Sequence, residues 1–250
     1  MNDNAKISII IPTLNEAVNI AKSIASIPIS QQIEVIIVDG GSRDNTIEIS
    51  QRLGVKILSA TGGRAIQMNI GAGIATGEIL LFLHADTLLP AGFATMVQTA
   101  LASKDRTPIA GAFALRIDAP QWRLKLIEWG VNWRSRFGQM PYGDQAIFLT
   151  AGTFHKLGGF PELPIMEDFE LMRQLGKLGR IEIISTPVLT SARRWQKRGI
   201  IQTTLINQMV VIGYLWGVSP IRLSHWYRDR SKLSLSYWWK ILLTGKSCDS

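Results

Sequence analysis

Short unbroken apolar runs alternate with stretches of helical periodicity along the first ninety residues. Lys6–Ile11 (KISIII), Ile33–Val38 (IEVIIV), Val55–Leu58 and Ile79–Leu83 (ILLFL) read as strands. Strands that are apolar at successive positions belong in a sheet covered on both faces. Between them, Ala17, Ile20, Ala21, Ile24 and Ile27 recur at helical spacing, and Thr13-Leu14-Asn15-Glu16 has the spacing of a capping box. Asp44–Leu53 reads as a helix. Gly62-Gly63-Arg64-Ala65 opens another, which carries Met68 and Asn69 and ends in the glycine-rich Gly71–Gly77. Strand and helix in alternation predict βαβ units in a mostly parallel sheet with right-handed crossovers.

Later segments continue the pattern. Phe93, Met96, Val97, Ala100 and Leu101 make one helix face, and Ile109–Ile117 reads as a strand. Trp122, Leu126, Trp129, Trp133 and Phe137 share another helix face, predicted to pack in the core, with Arg123, Arg134 and Arg136 turned toward phosphate or lipid. A strand over Ala146–Thr150, a helix through Leu171, Leu175 and Leu178, and two short strands over Ile181–Ser185 and Val188–Thr190 follow. From Ile200 the chain becomes a helical extension, with Ile201, Leu205, Met209, Ile212 and Trp216 on one face. Gln202, Thr203, Asn207 and Gln208 interrupt it too often for a membrane span.

Composition adds a charge asymmetry. The net charge is +8, but residues 1–100 hold 6 Lys/Arg against 8 Asp/Glu, and residues 101–250 hold 21 against 11. All eight tryptophans lie after residue 120. Such blocks suit a polyanionic partner, whether nucleic acid, an anionic membrane or the phosphates of a small molecule; a solvated basic face is the plainer alternative. No RNP-type, zinc or helix-turn-helix signature supports nucleic acid. The single cysteine, Cys248, excludes an intramolecular disulfide, and the N-terminus lacks a basic n-region, which together predict a cytoplasmic protein. Basic residues mixed with Trp226, Trp238 and Trp239 in the C-terminal segment suit peripheral contact with the inner face of a membrane. The alternative packs these helices on the preceding α/β domain or on the second subunit of a homodimer.

Candidate chemistry gathers at strand ends, where ligands of such sheets bind. Asn15 and Glu16 follow the first strand, Asp39 closes the second, and His84-Ala85-Asp86 follows the fourth. Neither G-x-G-x-x-G after the first strand nor a G-x-x-x-x-G-K-[ST] loop is present, which argues against a dinucleotide oxidoreductase. Asp39 can accept from a ribose or base, and Asp86 can reach a substrate or its metal, or else cap a following helix with Pro90 in its first turn. Glu167, Asp168 and Glu170 form a second acidic focus, favoured by a helix N-terminus and suited to deprotonating an acceptor hydroxyl. Arg193 and Arg194 can neutralise a diphosphate, and Trp195 can stack on a sugar or pack beneath them.

The chain resembles an inverting family 2 glycosyltransferase of the GT-A fold. More narrowly it resembles the radical SAM/selenodomain-associated transferase 2 group, also called arsenosugar-biosynthesis glycosyltransferases. The segments that carry the likeness are IIPTLNEA (10–17), VDGGSRDNT (38–46), GGRAIQMNIGA (62–72), LLFLHADTLLP (80–90), YGDQAIF (142–148), GGFPELPIMEDFEL (158–171) and TSARRWQKRG (190–199).

The resemblance implies an α/β GT-A domain over residues 1–199, with a nucleotide-binding half (1–100) and an acceptor half (101–199), followed by the helical extension 200–250. It implies a nucleotide diphospho-sugar donor of UDP or GDP type, held by Pro12, Thr13, Asn15, Glu16, Asp39, Gly40, Gly41, Ser42, Asp44, Arg64, Asn69, His84, Ala85, Asp86, Asp144, Arg193, Arg194 and Trp195. His84-Ala85-Asp86 occupies the place of the DxD motif, so Asp86 is the expected ligand of Mn²⁺ or Mg²⁺, with His84 replacing the first acid. Asp168, preceded by Glu167, matches the general base. Arg194-Trp195 matches the end of QxxRW, but Ser191 stands where that motif has Gln, which speaks against processive synthesis. The rival reading is a catalytically silent nucleotide-sugar binder, permitted by His84.

Overall fold

The computed structural model describes residues 5–102 and 108–228. The strands are β1 (Ile7–Thr13), β2 (Ile33–Asp39), β3 (Lys56–Ser59), β4 (Ile79–Phe82), β5 (Thr87–Leu88), β6 (Ala110–Asp118), β7 (Ile147–Thr150) and β8 (Ile181–Ser191). Among the described residues they form one sheet in the order β3-β2-β1-β4-β7-β6-β8-β5. β3, β2, β1 and β4 run parallel, as do β6 and β8; β7 is antiparallel to both its neighbours, and β5 to β8. The mostly parallel α/β sheet is as predicted. Every residue of β4 is buried, as an unbroken apolar run requires.

The intervening helices are α1 (Ile20–Ala25), α2 (Thr46–Arg52), α3 (Arg64–Gly73), α4 (Phe93–Ala102), α5 (Trp122–Gly138), α6 (Ala151–Leu157) and α7 (Glu167–Leu178). On α3, Gly71 permits close packing: a Cβ there would come within 2.6 Å of Ile10 Cγ2. Phe82, Phe154 and Phe160 pack at centroid distances of 4.8–5.7 Å beneath the end of β4.

Several local expectations give way to tertiary partners. Pro12 does not end β1, which pairs with β2 through Thr13. Pairing with β4 stops at Ile10, so the N–H that Pro12 lacks falls on the side with no strand partner. Thr13-Leu14-Asn15-Glu16 makes no capping box, since α1 starts only at Ile20. Asp86 cannot cap α4, because β5 intervenes and α4 starts at Phe93. The two short strands expected over 181–190 are one strand, with its register on β6 shifted between Phe113 and Ala114.

The largest correction concerns α5. Its apolar stripe is exposed rather than in the core: Trp122 67%, Leu126 59%, Trp129 69%, Trp133 57% and Phe137 70%. The cause is the edge of β6. That strand pairs with β7 only at Ala110 and Gly111, which leaves its later backbone groups without a strand partner on that side. Polar side chains of α5 supply the missing bonds. Asn132 accepts from Leu115 N (2.7 Å) and donates to Leu115 O (3.0 Å), and Glu128 accepts from Ile117 N (2.8 Å). Buried backbone polar groups demand such partners, so the polar side of α5 faces the sheet.

The chain divides into two compact units, Met1–Glu162 with Asp168–Ala192, and Leu163–Glu167 with Arg193–Ser250. The sheet belongs to the first. In the second, α9 (Ile200–Leu215) packs on α8 (Arg193–Arg198) and α10 (Pro220–Arg228). Its inward residues are Thr203, Ile206, Val210 and Gly213, whereas Ile201, Leu205, Ile212 and Trp216 of the expected face are exposed. Trp226 is 3% exposed, so its ring is unavailable for membrane contact; Trp238, Trp239 and Cys248 lie outside the described residues. Among the described residues no helix is long and apolar enough to cross a membrane.

Candidate active site at the sheet edge

β1 and β2 end in register, with Thr13 opposite Asp39. The Asp39 side chain is 1% exposed and accepts from Gly41 N (2.8 Å), Ser42 N (2.8 Å), Thr13 Oγ1 (3.3 Å) and Ser42 Oγ. The carboxylate thus folds the Gly40–Ser42 loop around itself, and a ribose or base would have to replace one of these bonds to reach it. The loop is stitched to the one after β1. Asn15, at φ 55°, donates its N–H to Ser42 Oγ (2.8 Å) and accepts from Arg43 N (2.8 Å). Glu16 N donates to Thr46 Oγ1 (2.8 Å), and Glu16 itself accepts from Asn19 Nδ2 (2.8 Å). Exposed Asp44 accepts from the Thr46 hydroxyl and from Ala17 N, and the Thr46 bond foremost holds its carboxyl below the usual range.

Gln67 is a residue that sequence reasoning missed. Its Nε2 donates to Thr13 O (2.9 Å) and Val38 O (2.7 Å), tying α3 to the ends of both strands. The available signal was a lone amide among Ala65, Met68 and Ala72 on the buried side of α3. Asn69, predicted to bind the donor, clamps Phe160 by accepting from its N–H and donating to its carbonyl, both at 2.8 Å.

The second cluster lies beyond β4. Leu83 N donates to Ile10 O, and the chain then turns through His84-Ala85-Asp86, with Ser191 N donating to Asp86 O (3.0 Å). Ala85 is buried, while His84 and Asp86 are half-buried. Arg64, the first residue of α3, places Nη1 3.3 Å from His84 Nε2. A guanidinium only donates, so this contact is a hydrogen bond in the tautomer that leaves Nε2 unprotonated. The 3-10 turn Gly143–Gln145, which includes half-buried Asp144, meets the same spot. Asp168 Oδ2 accepts from Gly143 N (2.7 Å), and Oδ1 from Phe169 N (2.8 Å). A Cβ on Gly143 would lie 2.8 Å from His84 Nε2 and 3.1 Å from Asp168 Oδ2. Arg64, His84, Gly143 and Asp168 are thereby brought together from four separate segments. Behind them Arg134, expected to face phosphate or lipid, instead stacks 3.5 Å from the Tyr142 ring centroid. Burial raises the Tyr142 pKa, against the opposing charge of Arg134 and with the help of Asp168 and Asp144.

Of the acidic trio, Glu167 is 2% exposed, and Glu170 accepts from Arg173 at 2.7 and 2.8 Å, which gives it a structural partner. Arg193, Arg194 and Trp195 lie on α8 in the second unit, where the buried indole N–H of Trp195 has no hydrogen-bond partner. Among the described residues no three His, Cys, Asp or Glu side chains gather to hold a metal. The donor set fits a divalent ion only in the form of one carboxylate, Asp86, with the remaining oxygens coming from a bound diphosphate and water.

Known proteins share parts of this sequence and its fold. The chain is similar to the 4,4'-diaponeurosporenoate glycosyltransferase of Staphylococcus haemolyticus, with 33% identity over 92 residues, 33% of this chain and 24% of the relative. It is 40% identical over 91 residues to a PGL/p-HBAD biosynthesis glycosyltransferase of Mycobacterium bovis, covering 33% and 36% of the two chains. The matches thus span about a quarter to a third of these relatives' length. Among solved structures, the mannosyltransferase PcManGT of Pyrobaculum calidifontis, in complex with GDP-Man and Mn²⁺, superposes with a TM-score of 0.63 at 21% identity, covering 98% of this chain and 76% of that one. S. aureus TarS 1–349 with UDP gives 0.58 at 20% identity, covering 74% and 60%. Both likenesses establish the GT-A fold. The model of Glycosyl transferase family 2 matches residues 8–155, more than half of the chain, and the chain belongs to that family.

Proposed function

We propose that this chain moves a sugar from a nucleotide diphospho-sugar of UDP or GDP type to an acceptor hydroxyl, with inversion and without processive elongation. The observation that carries the reading is the meeting of Asp168, Gly143 and His84 at the sheet edge where Asp86 follows β4. Asp168 takes the proton of the acceptor hydroxyl as its oxygen attacks the anomeric carbon, and the bond to the diphosphate breaks on the opposite face. The Gly143 N–H holds one oxygen of that carboxylate, which orients it. Asp86 would hold a Mn²⁺ or Mg²⁺, which supplies charge neutralisation for the departing diphosphate. Arg64 adds a cation next to His84. Ser191 in place of the Gln of QxxRW supports single transfer. The motifs quoted above support the narrower radical SAM-associated group, whereas the acceptor is read only as a hydroxyl compound.

The testing experiment is Asp168→Asn, assayed for transfer and for nucleotide binding. Loss of a general base lowers turnover by about 10²–10⁴-fold, with nucleotide affinity kept. Normal turnover would overturn the assignment. A second reading, a catalytically silent nucleotide-sugar binder, draws support from His84, whose Nε2 is engaged by Arg64. Hydrolysis of a nucleotide sugar by the wild type, lost in the Asp168 variant, argues against it.

A further inference from the structure

Trp122, Leu126, Trp129, Trp133 and Phe137 form a continuous stripe along α5, each 57–70% exposed, with the Trp133 and Phe137 rings 5.6 Å apart. The sheet does not need this face, because α5 meets β6 through Asn132 and Glu128. A contiguous row of five large exposed apolar side chains suits an interaction site.

Its margins say what covers it. At about 100° per residue, Arg123 falls roughly 80° to one side of the stripe's centre, and Lys125 and Arg136 roughly 60–80° to the other. All three are exposed. The Arg123 guanidinium sits 5.6 Å from the Trp122 ring centroid. Lys125 contacts Glu128 at 3.3 Å, and Arg136 donates to the neutral Ser185 hydroxyl at 2.6 Å. Glu128, the one acid of the helix, lies on the sheet side, bonded to Ile117 N. An aromatic centre with Arg123 and Arg136 at its margins, and Lys125 paired to the helix's one acid, matches the headgroup region of an anionic bilayer. Indole rings settle at the acyl boundary while Lys and Arg extend to lipid phosphates. A second copy, packed face to face, would set like charges against each other at both margins.

We propose that α5 docks the protein on anionic membrane surfaces through this stripe. The inference holds whether or not the chain transfers a sugar. The test is co-sedimentation of the full chain with phosphatidylcholine vesicles that contain or lack phosphatidylglycerol, for the wild type and a Trp129→Glu/Trp133→Glu double variant. Thermal unfolding checks the fold of the variant. Wild type should bind the anionic vesicles, more weakly at high salt, and the double variant should bind them about tenfold less or worse. If the variant unfolds early, Trp129→Gln at the same exposed position provides the comparison. Absence of wild-type binding overturns the proposal, as does equal binding by wild type and variant, which would assign the contact to another segment. So does a lipid-free dimer in light scattering that the double variant abolishes, since the stripe would then join two copies.

Discussion

Asp168 and His84 stand 84 positions apart in the chain, and their encounter depends on the residue between them that has no side chain. Gly143 donates to Asp168 and leaves no room for a methyl group beside the His84 ring. Gly143→Ala is therefore expected to push His84 or Asp168 out of place, at a stability cost of about 1–3 kcal/mol for overpacking, and to lower transfer by more than that cost explains. Parallel measurement of turnover and chemical denaturation checks this; full activity would remove Gly143 from the site. The acids at the strand ends were legible in sequence because they fall at the carboxyl ends of buried strands, where ligands of such sheets bind. What Asp39 does was not, since its four bonds come from Thr13 and from the loop that it organises. Gln67 was missed for a related reason: an amide on a buried helix face declares itself only when the carbonyls it caps are known.

At the scale of elements, α5 reverses the ordinary rule that the apolar side of a helix faces inward. Periodicity identified the helix and its stripe correctly and assigned the stripe to the wrong side. The deciding term is the cost of burying unbonded backbone groups at the β6 edge. Asn132→Ala, which strips Leu115 of both its bonds, should cost about 1–3 kcal/mol, whereas Trp133→Ala on the exposed stripe should stay within about 0.5 kcal/mol. Urea denaturation of the two variants checks the inversion, and the opposite ranking would return the stripe to the core. The β strands were more legible than the helices. Runs such as Ile79–Phe82 have no polar side to place, so only burial on both faces suits them. Boundaries slipped where a partner elsewhere intervened, as with the merged β8 and the absent capping box.

For the whole molecule, the sheet-edge reading predicts linkage between ligand and fold. A UDP- or GDP-sugar with Mn²⁺ at about 100 times its Kd should stabilise the protein by about 2.7 kcal/mol, raising Tm by several degrees. Chelation with EDTA, or Asp86→Ala, should cut that shift sharply. A shift indifferent to both would remove Asp86 from metal binding. By itself the sequence determined the alternation of strands and helices, the mostly parallel sheet and the acids at the ends of β1, β2 and β4, because these follow from side-chain periodicity and local chemistry. Only the tertiary structure decided that α5 turns its tryptophans to solvent, that Asp39 is occupied by its own loop, and that Gly143 joins His84 to Asp168. Each of these rests on hydrogen bonds or contacts between distant segments, whose partners no local pattern specifies.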